Sequence, residues 1–263
     1  MELIGTAKFY YLKPLLITLI YFLSNGVNAQ LVNIESKRMQ SDSVRFALKS
    51  DLLFNYTDNN GDYLFQIGSN LTTQFKTKDL QKIFFFIGNY KLIRSNEKDF
   101  QNSWFFHLRY NQKLTSLFRV EAFIQNQNNT KLTITSRNLV GAGIRLKLIS
   151  SEMTRVYFGN AYMYEIEKIA DTGQQFYNHR NSSYLSATHS FKETSLNLTE
   201  TIYFQPLYND FGNHRILLQM KAELPLSKVI SLSALYNYFY SSFSAVNDID
   251  RSSNLSLGIT FTY

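Results

Sequence analysis

The feature that most constrains the fold is a two-residue alternation of apolar and polar side chains, which recurs along most of the chain. Between residues 44 and 56, apolar Phe46 and Leu48 alternate with polar Lys49 and Asp51 on the opposite face. Successive side chains of a β-strand point to opposite faces, so this period predicts strands with one apolar and one polar face. The same pattern closes the chain, in the segment SNLSLGITFTY.

Counting such segments predicts about twelve strands. The alternation is least clear near residues 82 and 179. Polar turns separate the segments, and TDNNGD contains an Asn-Gly pair typical of a hairpin. Short connections such as LTSL and PLSK alternate with longer ones, RSNEKDFQN, QNQNNTK and EKIADTGQQFYNHRN, as the two rims of a barrel would require. The predicted starts lie near residues 44, 62, 82, 102, 116, 134, 154, 179, 194, 213, 229 and 251.

The N-terminus reads as a cleaved signal peptide over residues 1–29. Lys8 and Lys13 supply positive charge, residues 14–24 form an apolar stretch, and VNAQ places small residues around a cut after Ala29. A membrane anchor is the alternative, but the stretch is short for a span of about 20 residues. We therefore expect a short periplasmic segment at 30–43 and a single barrel domain at 44–263.

Composition narrows the function classes. The formal charge is +7, but the basic residues are scattered, which argues against a nucleic-acid partner. The chain has no cysteine, so disulfides and thiolate metal sites are excluded. The four histidines form no closely spaced pair, and we expect neither metal nor cofactor.

The two-residue alternation of apolar and polar side chains also fits a soluble periplasmic β-sandwich, in which the apolar faces of the sheets point into the core. Long segments, charges of both signs on neighbouring polar faces, and aromatic clusters such as YNYFYSSF and YFQPLY instead favour a transmembrane antiparallel β-barrel. The last strand resembles the C-terminal signal recognised when outer-membrane barrels are inserted. Its candidate residues are Leu257, Ile259, Phe261 and Tyr263.

These features place the chain in the outer membrane of a Gram-negative bacterium. The expected partners are outer-membrane lipid and, during insertion, the barrel-assembly machinery. We expect a monomer.

Three stretches carry a family resemblance: NNGDYLFQIGSNLTTQF, FFHLRYNQ and RNLVGAGIRLKL. With the strand layout they resemble the DUF481 family, described as YdiY-like, salt-induced outer-membrane proteins. The resemblance implies an outer-membrane barrel without an established biochemical activity, so it supplies no catalytic residues.

Charged residues on the polar faces are the candidate functional set. They could bias a narrow diffusion channel weakly toward anions, or they could pair with Asp51, Glu121, Glu165 and Glu223 and plug the barrel. Twelve strands lie between filled eight-stranded barrels and open porins, so both alternatives stay open. The candidate lumen-lining residues are Arg45, Lys49, Arg109, Arg119, Glu121, Arg137, Arg145, Lys147, Lys221 and Glu223.

A lipid-modifying barrel enzyme is the alternative from another class, suggested by the adjacent His189 and Ser190. Neighbouring residues of a strand point to opposite faces, so this pair is poorly placed for nucleophilic catalysis, and we expect no enzyme. The segment GAGIRL lacks the third glycine of a nucleotide loop. Gly141 and Gly143 instead leave room for bulky lumen neighbours or let the strand bend sharply.

Overall fold

Twelve antiparallel strands form one closed barrel, in which each strand pairs with its neighbours in sequence and β1 pairs with β12. The computed structural model describes residues 44–59, 62–95, 99–129, 134–170, 172–243 and 251–262. This architecture confirms the predicted all-β barrel of about twelve strands. The strands are β1 (Phe46–Asn59), β2 (Asp62–Lys76), β3 (Lys82–Ser95), β4 (Asp99–Lys113), β5 (Phe118–Asn129), β6 (Ile134–Ser150), β7 (Thr154–Ile169), β8 (Gln175–Ser190), β9 (Asn197–Pro206), β10 (His214–Pro225), β11 (Ile230–Ser241) and β12 (Arg251–Thr262).

Each strand begins within four residues of its predicted start. The prediction of three long loops is wrong, because the strands continue into those polar segments. Glu167 of β7 pairs with Phe176 of β8, for instance, inside a segment expected to be a loop. Charged and amide side chains at these positions line the lumen, so polarity there does not end the strand.

The two rims of the barrel are named here by what they carry. The terminal rim holds the first and last described residues, Val44 and Thr262, together with the connections that follow the even-numbered strands β2 to β10. The far rim holds the connections that follow the odd-numbered strands β1 to β11.

The faces of the sheet are reversed relative to a soluble protein. Arg109, Glu165 and Gln219 are buried on the inner face, at 3%, 0% and 2% exposure. The outer face carries exposed large apolar side chains on most of the strands, which is unusual for the surface of a soluble monomer. It includes Leu71, Phe75, Phe84, Phe106, Leu108, Ile124, Val140, Ile144, Leu185, Ile202, Phe204, Leu232, Leu255, Ile259 and Phe261.

Some aromatic residues also point inward. Tyr203 and Phe239, which the sequence placed in aromatic clusters near strand ends, are each only 5% exposed and pack together with Tyr184 and Leu217. Two further buried apolar groups are Phe85, Ile87 and Phe105, and Phe123, Leu139, Ala161 and Met163.

Some predictions fall on residues outside the described ranges. These are the signal peptide (1–29), the periplasmic segment (30–43) and Tyr263. None of the described residues forms a helix long and apolar enough to cross a membrane.

Candidate functional site in the barrel lumen

A group of buried charges lies in the lumen near the far rim. Glu165 of β7 is fully buried and accepts hydrogen bonds from arginines on three other strands. Its Oε1 lies 2.8 Å from Arg180 Nε and 3.0 Å from Arg215 Nη1, and its Oε2 lies 2.8 Å from Arg137 Nε. Together with Glu167, these residues form what we call the arginine network.

The arginine network ties distant parts of the wall together. Arg215 extends from β10 to β7, past two intervening strands, and donates to Glu165 and to Glu167 Oε2 at 2.9 Å. Arg180 of β8 also donates to the backbone carbonyls of Gln205 and Asn213, at 3.1 and 3.3 Å. Buried charges paired in this way connect the wall from β6 to β10.

A second buried cluster lies nearer the terminal rim, around Glu121 of β5. Its carboxylate accepts from Arg109 Nη1 at 3.0 Å and from Asn111 Nδ2 at 2.6 Å. Tyr184 Oη, on β8, donates to the same carboxylate at 3.3 Å, which bridges from β8 to β5. Arg119 donates to Asn111 Oδ1 at 3.0 Å. We call this group the Glu121 cluster.

Glycines make room for the bulky side chains of this sector. A Cβ on Gly141 would lie 2.3 Å from the Phe123 ring, and one on Gly159 would lie 2.1 Å from the Tyr184 ring. A Cβ on Gly143 would meet the backbone oxygen of Asn160 at 2.2 Å. Gly141 therefore leaves room for a bulky lumen neighbour, which was one of the two alternatives that the sequence offered, whereas Gly143 allows the close approach of the β7 backbone.

A cavity of about 140 Å³ remains in the sector formed by β10–β12 and β1–β5. Lys49, Lys91 and Lys221 line it, against the single carboxylate of Asp51. We call it the lysine cavity. Its remaining polar lining includes Asn70, Thr72, Asn89, Ser103, Gln127, Asn128, Asn129, Ser233, Ser256 and Thr260.

The charges of the lysine cavity are less buried than those of the arginine network. Lys49 Nζ lies 3.0 Å from Glu223 Oε1, and Lys221 also binds Glu223. The side chains of Lys49 and Lys221 keep 21% and 16% of their exposure. Oδ1 atoms of Asp51 and Asn89 accept no hydrogen bond within the described part of the chain. The cavity thus presents both ammonium donors and acceptor oxygens.

One junction of the wall, the β1–β12 seam, is short. Among the described residues the two strands pair only at Lys49–Thr262, Ser50–Phe261 and Asp51–Thr260. By comparison, β6 and β7 pair at fifteen described positions. Beyond Asp51, β1 continues to Asn59 in pairs with β2 alone, and β12 before Thr260 pairs with β11 alone.

The predicted lumen residues divide among these regions. Arg137 belongs to the arginine network. Arg109, Arg119 and Glu121 belong to the Glu121 cluster. Lys49 and Lys221 line the lysine cavity, and Glu223 binds both of them. Arg145 stacks on the Tyr157 ring at 3.8 Å, Lys147 is half-buried, and Arg45 is exposed at the terminal rim.

Sequence reasoning missed Lys91, Glu167, Arg180 and Arg215. Arg215 stands on the polar face of an alternating segment and could have been included on that ground. The alternation around Arg180 is weak, and nothing in it marks that residue.

The proposed insertion signal lies on the outer face of β12. Leu257, Ile259 and Phe261 are all exposed there.

No histidine is arranged with Ser190 for nucleophilic catalysis within the described ranges. Ser190 Oγ donates to Asn197 Oδ1 at 2.6 Å, and His189 Nδ1 lies 2.8 Å from Thr154 Oγ1. The described residues hold no group of three or more His, Asp or Glu side chains that could bind a metal.

Comparisons with known proteins give one family and several barrels. The family model described as "Protein of unknown function, DUF481" matches residues 32–261. No curated protein matches the chain. Solved structures similar to it include the NanC porin (11% identity, 84% of this chain, 99% of that chain, TM-score 0.47). Two others are LpxR from Salmonella typhimurium (11% identity, 83% and 99%, TM-score 0.47) and the translocator domain of the autotransporter NalP from Neisseria meningitidis (11% identity, 85% and 90%, TM-score 0.45). Identities this low do not indicate a shared function.

Proposed function

The chain belongs to the DUF481 family, and we propose that it is an integral outer-membrane barrel that admits small anions through the lysine cavity. In this proposal the arginine network and the Glu121 cluster are structural and hold one sector of the lumen closed. The lysine cavity is the functional part.

Membrane insertion is supported by the reversed faces of the sheet. An outer face rich in Leu, Ile and Phe is stable against lipid, and it would be unstable in water. A closed barrel also satisfies backbone hydrogen bonds in hydrocarbon, where each unpaired group costs several kcal/mol.

The lysine cavity is the observation that carries the anion proposal. Three lysines face one aspartate in a cavity of about 140 Å³ inside the lumen. Glu223 binds Lys49 and Lys221, so three positive charges stand against two negative ones among the described side chains that line the cavity or pair with its lining. Rings of basic side chains favour anions in narrow pores.

Planar-bilayer conductance of the refolded chain, residues 30–263, under a salt gradient tests the proposal. We expect small discrete steps with a reversal potential on the anion side. Lys91→Gln should reduce the anion-to-cation permeability ratio by about twofold, because it removes one cavity charge and leaves the Lys49–Glu223–Lys221 pairs intact.

Arg119→Gln is the matched control, since it removes the same charge from the Glu121 cluster and should leave the ratio unchanged. If the inserted protein is silent, the barrel is plugged throughout and the channel proposal is wrong. If Arg119→Gln changes the ratio as much as Lys91→Gln, ions pass elsewhere than through the cavity.

A further inference from the structure

The lysine cavity borders the β1–β12 seam. Asp51 and Thr260 face the lumen, their neighbours Leu52 and Ile259 point to the outer surface, and all four line the cavity. Leu257, which also points outward, lines it as well. Beyond the Asp51–Thr260 pair, no described pair joins β1 to β12, so paired backbones do not close the wall beside this part of the cavity.

Exposure of the outward side chains supports this opening. Leu52 and Leu257 are 72% and 69% exposed, more than any other large apolar strand residue whose side chain the structure describes. Leu71 on β2, which has paired strands on both sides, is 39% exposed. Leu52 and Leu257 thus lack the cross-strand neighbours that cover residues elsewhere on the outer face.

An open seam has a cost that a ligand could relieve. Beyond the three pairs, no described residue of β1 is paired with a described residue of β12, so the facing edges of the two strands are not joined there by the strand pairing seen elsewhere. In hydrocarbon each unpaired backbone group costs several kcal/mol. A polar head group placed at the seam would supply hydrogen-bonding atoms there.

We propose that the lysine cavity opens sideways through the β1–β12 seam and binds the acidic head of a single-chain amphiphile from the membrane. The head lies near Lys49, Lys91 and Lys221, and the alkyl chain leaves past Leu52 and Leu257 into the lipid. This inference rests on the proposed function, because it assumes that the cavity accepts anions in a membrane-inserted barrel.

Size and charge select this ligand class. A cavity of about 140 Å³ is close to one that holds a single benzene and is well below a drug-sized pocket of ~300–1,000 Å³. It admits a carboxylate or phosphate head, but no acyl chain in addition. The excess of lysines favours an anionic head over a neutral or cationic one.

The single tryptophan of the chain provides a direct readout, because Trp104 lines the cavity. The refolded chain in neutral detergent micelles is titrated with 11-bromoundecanoic acid, whose bromine quenches indole fluorescence. The matched neutral probe is 11-bromoundecanol, which measures quenching by bromine dissolved in the micelle. We expect saturable quenching by the acid and only weak, linear quenching by the alcohol.

Substitution at the seam locates the site. An added Cβ on Gly258 meets nothing within 4 Å, so Gly258→Phe places a ring in the cavity beside the seam. We expect it to raise the half-quenching concentration of the acid at least tenfold. Gly88→Phe, on the outer face of β3, is the control and should leave that concentration unchanged. If Gly258→Phe does not refold, Lys91→Gln replaces it, with an expected increase of at least threefold.

The outcomes separate this inference from the proposed function. Equal quenching by acid and alcohol, or an unchanged half-quenching concentration in Gly258→Phe, would overturn the lateral site. Inorganic phosphate that displaces the acid at equal concentration would show that the alkyl chain contributes nothing, and it would overturn the inference while leaving an anion-binding cavity. A silent bilayer together with saturable, charge-dependent quenching would reject the channel and keep the lateral site.

Discussion

The arginine network and the lysine cavity occupy different sectors of one lumen and carry the same excess charge. The arginine network contains three arginines, Glu165 and Glu167. The lysine cavity is lined by three lysines and Asp51, and Glu223 pairs with two of the lysines. The balance is therefore +1 in both. Glu165 is nevertheless fully buried, while the side chain of Glu223 retains 15% exposure.

The difference lies in how the charges are surrounded. In the network, Glu165 is fully buried and accepts hydrogen bonds from three arginines, so its charge is bonded inside the protein. Around the cavity, smaller Ser, Thr and Asn side chains leave space, and the charges remain available to a solute. The charge count of a lumen thus does not reveal which charges can act on a ligand.

The largest effect is expected from Glu165→Gln. This change leaves three buried arginines with one carboxylate, and loss of one partner of a buried pair costs about 3–5 kcal/mol. Urea unfolding of the refolded barrel, followed by Trp104 fluorescence, measures the loss. Glu152→Gln is the control, since Glu152 pairs with Lys192 at the surface with side chains 85% and 67% exposed, and such pairs contribute about 0–1 kcal/mol.

Glu223→Gln extends the same test to the cavity. We expect less than half the loss measured for Glu165→Gln, because water still reaches Lys49 and Lys221. Equal losses for the two variants would remove the distinction between the sectors.

A pair of glycine substitutions compares the packing directly. Gly143→Ala drives its Cβ to 2.2 Å from the Asn160 backbone oxygen, which cannot move aside, and overpacking of this kind costs about 1–3 kcal/mol. Gly258→Ala at the cavity wall meets nothing within 4 Å and should change stability by less than about 0.5 kcal/mol. The same unfolding assay applies. A destabilised Gly258→Ala would mean that the cavity is packed more tightly than its walls indicate.

The smallest effect concerns the turn between β2 and β3 on the cavity side. Thr77 Oγ1 and the Gln81 amide donate to the Asp79 carboxylate, and these bonds hold the pKa of Asp79 below its usual value. A lowered pKa stabilises the folded state above the unfolded-state pKa, and this contribution is lost as the pH falls through the folded-state pKa.

The wild type should therefore exceed Asp79→Asn slightly in unfolding free energy at neutral pH, and the two should converge in acid. In a Thr77→Ala background the difference at neutral pH should shrink. A difference that is constant with pH would show that the turn does not depend on the carboxylate charge.

The alternation of side chains predicted the strands, while the choice of a membrane barrel over a soluble sandwich also needed the long segments, the charges of both signs and the aromatic clusters. Strand number and starts follow from period two, and so does the inward orientation of residues such as Arg109 and Lys221. The alternation carries no information where both faces of a strand are apolar, as in residues Ile83–Ile87 of β3. In the structure, Phe85 and Ile87 of this run are buried on the lumen side.

The candidate site was predicted only in part. The two-residue alternation assigns each side chain to one face of the sheet. It gives neither the position of the residue along the barrel axis nor its partner across the lumen. Arg215 and Glu165 are 50 residues apart and meet only because the sheet closes. Likewise, no local pattern marks the short β1–β12 seam, since β12 alternates as regularly as any other strand.

The arginine network also constrains the order in which the barrel can assemble. A β6–β7 hairpin gives Glu165 one arginine, β8 adds the second, and the third arrives only with β10. Glu167 gains its bond to Arg215 at that same step. A hairpin entering lipid alone would carry charges that later strands have yet to neutralise, which is unfavourable. For the membrane-inserted barrel proposed above, we therefore expect strands β6 to β10 to associate before this part of the wall meets the hydrocarbon, so that a preformed sheet enters the membrane and not one hairpin at a time.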